Sequence, residues 1–442
     1  MDVPLPLLDH EIERAVAESR AARLELTDGA EPAPPLEIHR RVSSRSTWLE
    51  LGELAGADPL AAAERDWVHL LTLERVLWSD RVRVATAWRE PTIAMRDPES
   101  VRISPFEARR RLLREPVVAR RRAWGDALAR GSGALADAVR VLAERTAQAG
   151  GQLDAASTER LELPADPPEA IAAAASRLLD ATAPLHERAG AWPDALGAAL
   201  GRDAAAGWPA HLGARWLEDV FRGTGLCDGL ELRVGALPEP LGAASFARAL
   251  AGLGAAIAAA DAPPSAPFCM AHPPFDLRAA RRAGLFASLA ADPLFGRRVL
   301  GLGRDASREQ AGRVARALLV SLRLDAARVL LRGGLLLSPR ERPERFEEVT
   351  ARALGAPIPP SLAGVLPMLS AHDATRFAGT VLAASDRRSL IERFDEDWFK
   401  NPAAARALRE EDAVLPASTR TTAEALEAGR DALVSVASAL MS

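Results

Sequence analysis

The sequence predicts an all-α fold carrying one or two short β-strands, and three observations lead there. Apolar residues recur three and four positions apart through most of the chain, the signature of amphipathic helices. Prolines and glycines cut that pattern into segments of helical length. One stretch only, Gly229 to Gly235, alternates apolar and polar residues between glycines as a strand does. At 442 residues the chain outgrows a single core, so a two-lobed arrangement of helices or a multi-helix bowl is expected.

The first helix spans Leu7 to Leu26 and stops at the proline-rich break Glu31 to Pro35. A second is read over Leu36 to Ala55. A third, Pro59 to Arg89, carries a broad apolar stripe that includes Trp67, Leu70, Leu71, Leu77 and Trp78, and Pro91 closes it. Pro105 suits a first helical turn, with Ser104 as its N-cap and Glu107 completing a capping box, and the helical pattern then runs with interruptions to Ala147.

Gly150 to Pro168 is polar and rich in Gly, Asp and Pro, which divides the chain into an N-terminal helical domain (1–150), a linker (151–168) and a C-terminal helical domain (169–442). In the second part helices are read at Glu169 to Leu185 and Trp208 to Arg222. The strand 229–235 and a second candidate, Pro267 to Ala271, make a small ribbon around 229–271. Ala243 to Ala260 is apolar, but its Arg248 and many alanines mark a buried helix rather than a membrane span. Further helices are read at Asp276 to Ala290, Ser307 to Arg332, Pro343 to Leu354, Pro360 to Val381 with a break near Ser370, Asp386 to Phe399, Pro402 to Glu411 and Thr421 to Leu440. No fixed period repeats, which disfavours a solenoid.

Hydrophobic residues make up 48% of the chain and charged residues 26%, the balance of a globular protein. Lys400 is the only lysine and Asn401 the only asparagine, and tyrosine is absent. A GC-rich coding sequence explains that bias, and with acids interleaved to a net charge of −4 the arginines do not read as a nucleic-acid surface. Two cysteines, Cys227 and Cys269, are too few for a disulfide framework, and the first residues lack the basic and apolar regions of a signal peptide. A cytoplasmic protein with no membrane partner is the expectation.

His10-Glu11 and His186-Glu187 both begin the His-Glu-x-x-His zinc pattern, but Arg14 and Gly190 stand where the second histidine would be. Cys269, His272 and Asp276 have ligand-like spacing, with Cys227, Asp228, His211 and His372 as distant partners for a mixed site. Gly301-Leu-Gly303 with Arg304 before a helix carries part of a phosphate-cradling turn. His372-Asp373 reads as an N-terminal capping feature rather than part of a triad. The acids Glu392, Asp395, Glu396 and Asp397 read as solvated neighbours of the buried aromatics Phe394 and Trp398.

The segment Glu392 to Pro402, reading Glu-Arg-Phe-Asp-Glu-Asp-Trp-Phe-Lys-Asn-Pro, is followed by a helix with Leu408 and Arg409. Together with the order of helical half, short strand and helical half, it resembles the helical zinc oligopeptidases of the thimet type. That resemblance implies a helical bowl that takes peptides, with zinc held by His-Glu-x-x-His and a downstream glutamate. The helix after Asp276 contains no histidine, so no catalytic residue transfers. The expectation is a noncatalytic peptidase-like scaffold without a cofactor, binding a peptide or protein partner in a groove between lobes. Its candidate ligand-binding residues are His272, Asp276, Cys269, His211 and Arg304. The alternative is a metal-dependent hydrolase with a dispersed site.

Overall fold

The computed structural model describes residues 4–96, 100–186, 190–200, 208, 212–224, 226, 242–263, 265–335, 343–414 and 420–441. Nineteen α-helices among these residues make the fold all-α.

The chain starts with α1 (Leu5–Asp28), α2 (Arg45–Leu54) and α3 (Pro59–Arg89). α2 begins at Arg45 rather than Leu36, because the Ser44 hydroxyl accepts from Thr47 N at 3.3 Å and fixes the start there, while residues 36–43 form turns. The hairpin β1 (Ile93–Arg96) and β2 (Ser100–Ile103), antiparallel with Ile93 opposite Ile103, was not legible in the helical pattern. Next come α4 (Pro105–Arg114), α5 (Val118–Gly131), α6 (Gly133–Leu153) and α7 (Ala155–Glu162). Ser104 caps α4 as expected, accepting from Glu107 N at 3.2 Å, but the Glu107 carboxylate turns to Arg111 instead of closing a capping box.

Residues 151–168 are structured. They finish α6, form α7 and supply β3 (Ala165–Asp166). Then come α8 (Glu169–Ala181), α9 (Trp192–Leu200), α10 (Ala214–Arg222), α11 (Ala243–Ala260) and α12 (Phe268–Ala271). The expected strand at 229–235 lies outside the described residues. The second, Pro267 to Ala271, is helical: α12 is a single turn whose first N–H groups are taken by a distant side chain. Asp9 of α1 accepts from Phe268 N at 2.7 Å and Cys269 N at 2.8 Å, and that tertiary cap outweighs local preference.

The remaining elements are α13 (Leu277–Leu289), α14 (Pro293–Arg298), α15 (Arg304–Leu335), α16 (Pro343–Leu354), α17 (Asp373–Phe394), α18 (Pro402–Val414), β4 (Thr421–Thr422) and α19 (Ala423–Met441). The expected helix Pro360 to Val381 is only a short turn at its start, and α17 begins at Asp373, whose carboxylate accepts from Ser370 N at 2.7 Å. From there α17 runs unbroken to Phe394, joining two expected helices. β4 lies parallel to β3.

Three large apolar clusters and a small one, Ala22, Leu26 and Trp78 between α1 and α3, fill the interior of the described residues. The first joins α1 to α3 with Cys269 of α12; the second spans α5, α6, α8, α15, α16, α17 and α19. The third gathers Phe221, Phe246, Phe286, Phe295, Trp398 and Phe399 around α11, α13 and α17. Glycine sets the spacing of the central helices: a Cβ on Gly254 of α11 would lie 2.4 Å from the Arg282 carbonyl of α13. One on Gly429 of α19 would lie 2.5 Å from the Val381 carbonyl of α17. Among the described residues, α11 alone is long and apolar enough to cross a membrane, and more than half of it is buried inside the protein.

A buried cation ties three helices. Arg323 of α15, 2% exposed, donates from Nε to Ala353 O at 3.0 Å and from Nη1 to Leu179 O at 2.9 Å, and also reaches Thr182 Oγ1 and Arg352 O. It thereby fills the open carbonyls at the C-terminal ends of α8 and α16.

Candidate binding cleft

α13, α17 and α19 enclose a cleft of about 320 Å³. Asp276 sets the start of α13 by accepting from Ala279 N at 2.9 Å, and from that start Arg278 and Arg281, three positions apart, share one face. Leu277, Leu382, Ala425 and Ala428 form an apolar floor, and Arg278, Arg281, Asp386 and Arg420 form a charged rim.

Each rim cation is held. Arg281 forks onto Asp386, with Nε and Nη2 donating at 3.0 and 2.5 Å. Arg278, almost fully buried, donates to Ala271 O at 3.2 Å and Asp276 Oδ2 at 3.3 Å. Arg420 donates to Ala165 O at 3.2 Å and to Arg160 O, binding the β3 segment to the start of α19. Guanidinium groups fixed in this way present planar donors suited to a carboxylate or phosphate, and the floor adds a place for an apolar side chain.

None of the described residues singled out in the sequence lines the cleft, although Asp276 and His272 stand next to it in the chain. Asp276 is the N-cap of α13, two residues before the rim residue Arg278. His272 ends α12; its carbonyl accepts from Trp67 Nε1 at 2.9 Å, and its ring packs on Phe268 at 5.3 Å. Burial, then the charge of Arg278, holds that imidazole below its ordinary range. His372 lies 4.9 Å from the Phe275 ring, and burial first, then Arg23, Arg376, Arg332 and Arg20, pushes it down to about 4. Arg20 of α1 adds a smaller push downward on both imidazoles, which Asp276 and Glu13 oppose at His272.

Cys269 is 1% exposed, and burial with the adjoining Asp9 carboxylate pushes its thiol well above the ordinary range, which leaves it without nucleophilic character at neutral pH. Arg304 is exposed at the first turn of α15 and does not line the cleft. His211, Cys227 and Asp228 lie outside the described residues. Among the described residues, no group of three or more His, Cys, Asp or Glu side chains is placed to hold a metal ion. Trp398 is buried and Glu392, Asp395 and Glu396 are exposed as expected, whereas Phe394 is only half-buried and Asp397, also half-buried, pairs with Arg298.

A contact that sequence reasoning missed joins Thr158 of α7 to His69 of α3, Oγ1 to Nε2 at 2.8 Å. Such a pair suggests an activated hydroxyl. However, Thr158 also donates to Asp154 O at 3.2 Å, and a hydroxyl has one proton. The arrangement that fills both bonds has Nε2–H donating to Thr158 and Thr158 donating to the carbonyl, which makes the pair a structural joint. Arg281, Asp386 and Arg420 were also missed, because on a helical wheel they read as solvated charges and nothing local signals partners as far as 260 residues away.

Neither a protein-family model, nor a curated protein, nor a solved structure matches this chain.

Proposed function

We propose that the chain is a noncatalytic, peptidase-like helical scaffold of the cytoplasm that binds an acidic peptide or an acidic segment of a protein partner in the cleft between α13, α17 and α19. One observation carries this reading: an apolar floor bounded by Arg278, Arg281 and Arg420, with the Arg281 fork already engaged by a carboxylate. Asp386 demonstrates the geometry: the fixed Arg281 guanidinium takes a carboxylate through two parallel N–H bonds. The buried thiol of Cys269 and the engaged hydroxyl of Thr158 fit a binding role rather than a chemical one.

The test is to pan the full chain against two dodecapeptide libraries, one rich in Asp, Glu and Leu and one with lysine in place of the acids. Acidic peptides should be enriched, should bind equally well with a chelator present, and should lose about tenfold or more in affinity to Arg281→Glu. Equal enrichment of both libraries, or affinity unchanged in Arg281→Glu, would overturn the cleft reading. One tightly held zinc per chain, found by elemental analysis, would overturn the noncatalytic one.

A further inference from the structure

Beneath α12 lies an arrangement that neither the cleft nor the interior packing requires. Glu64 of α3 is 0% exposed, and neither of its carboxyl oxygens makes a well-formed hydrogen bond, the Asp9 backbone N–H being the one donor that acts on it. It faces Asp9 of α1, the same carboxylate that holds the first two N–H groups of α12. Cys269 of α12 adjoins both acids. A buried carboxylate without well-formed hydrogen bonds is strongly disfavoured, and a second one beside it more so.

The charged groups around Glu64 come from each neighbouring element. Asp9 contributes from α1, Asp58 from the cap of α3, and Arg41 from the segment between α1 and α2. Arg41 is the only countercharge in this set, and it is drawn toward Glu11 at 3.9 Å. Burial first, then Asp9 and Asp58, pushes the Glu64 carboxyl up to about 8, so it keeps its proton at neutral pH.

We propose that Glu64 is a proton-operated latch: its neutral carboxyl lets Asp9 clamp α12 against the N-terminal helices, and loss of the proton releases α12. The chain next to α12 moves with it. The Trp67 bond to the His272 carbonyl and the Arg278 bond to the Ala271 carbonyl both end on this turn, so its release unties one rim residue of the cleft. Coupling to ligand binding rests on the cleft being the binding site; release of α12 does not, and the experiment reads α12 alone.

The buried Cys269 thiol is a reporter already in place. Alkylation of the full chain by iodoacetamide is followed from pH 6 to 9 by mass spectrometry of the Cys269 peptide, in the native protein and in Glu64→Gln. Between pH 7 and 9 the native protein should gain at least tenfold more reactivity than Glu64→Gln, in which the latch cannot ionise. Parallel profiles would overturn the proposal, as they would if Arg41 swung in to neutralise Glu64 with α12 in place. Should Glu64→Gln fail to fold, hydrogen exchange on the native chain decides. Protection of the Phe268 and Cys269 amides, corrected for intrinsic exchange, should fall at least tenfold between pH 7 and 9 while α17 stays protected. Protection unchanged across that range would overturn the latch.

Discussion

Arg323 and Glu64 are both buried ionisable groups, and the protein handles them in opposite ways. Arg323 keeps its charge because helix ends surround it: carbonyls of residues 179, 352 and 353 and the Thr182 hydroxyl together accept four of its bonds. No acid is needed, since the negative ends of two helix dipoles converge on the guanidinium. Glu64 has no well-formed hydrogen bond, only the Asp9 backbone N–H as a weak donor, and like charges close by, so it holds its proton instead. What decides whether an interior charge survives is the supply of oriented hydrogen bonds, more than the presence of a counterion.

The sharpest way to break the comparison is Arg323→Met. It should cost about 3–5 kcal/mol in denaturant unfolding, because it leaves the carbonyl ends of α8 and α16 unfilled. A loss under about 1 kcal/mol would mean that water replaces the guanidinium readily. Glu64 should respond through pH. Its folded value lies above its ordinary 4.5, so the folded state holds the extra proton, and stability falls as pH rises from that value through about 8. Glu64→Gln should remove on the order of 3 kcal/mol of this loss, seen as a flatter unfolding free energy between pH 6 and 9.

His69 tests the same principle from the other side. It is 2% exposed and is pushed down to about 4 by burial and Arg65, so the unfolded state binds the proton first, and stability is lost as pH falls from 6.5 through 4. His69→Gln should flatten that acid limb by about 3 kcal/mol, and an unchanged limb would show that the loss arises elsewhere. The smallest effect belongs to an exposed pair: breaking Arg345–Glu348, 3.7 Å apart, with Glu348→Ala should change stability by less than about 0.5 kcal/mol.

Legibility in the sequence followed the range of the determining contact. Ser104, Asp276 and Pro343 announce the starts of α4, α13 and α16, because a cap or a first-turn proline acts within three residues. The turn at Phe268 misled, since its cap is Asp9, 259 residues away. The same limit hid the candidate site. Arg281 and Asp386 look alike with every other surface charge until α13 and α17 are packed, whereas His272 and Asp276 drew notice for their spacing and prove to be a helix end and a cap.

The parallel strand pair bears on how the chain is made. Thr421 N donates to Pro164 O at 2.9 Å, and Arg420 reaches the Ala165 carbonyl across 255 positions. A ribosome therefore delivers α8 long before α19, the helix that packs on it and brings Leu426 into the same cluster. Until then the greasy side of α8, with Ile171 and Leu178, stays incompletely covered, so a nascent chain stalled short of Arg420 is the form most in need of a chaperone.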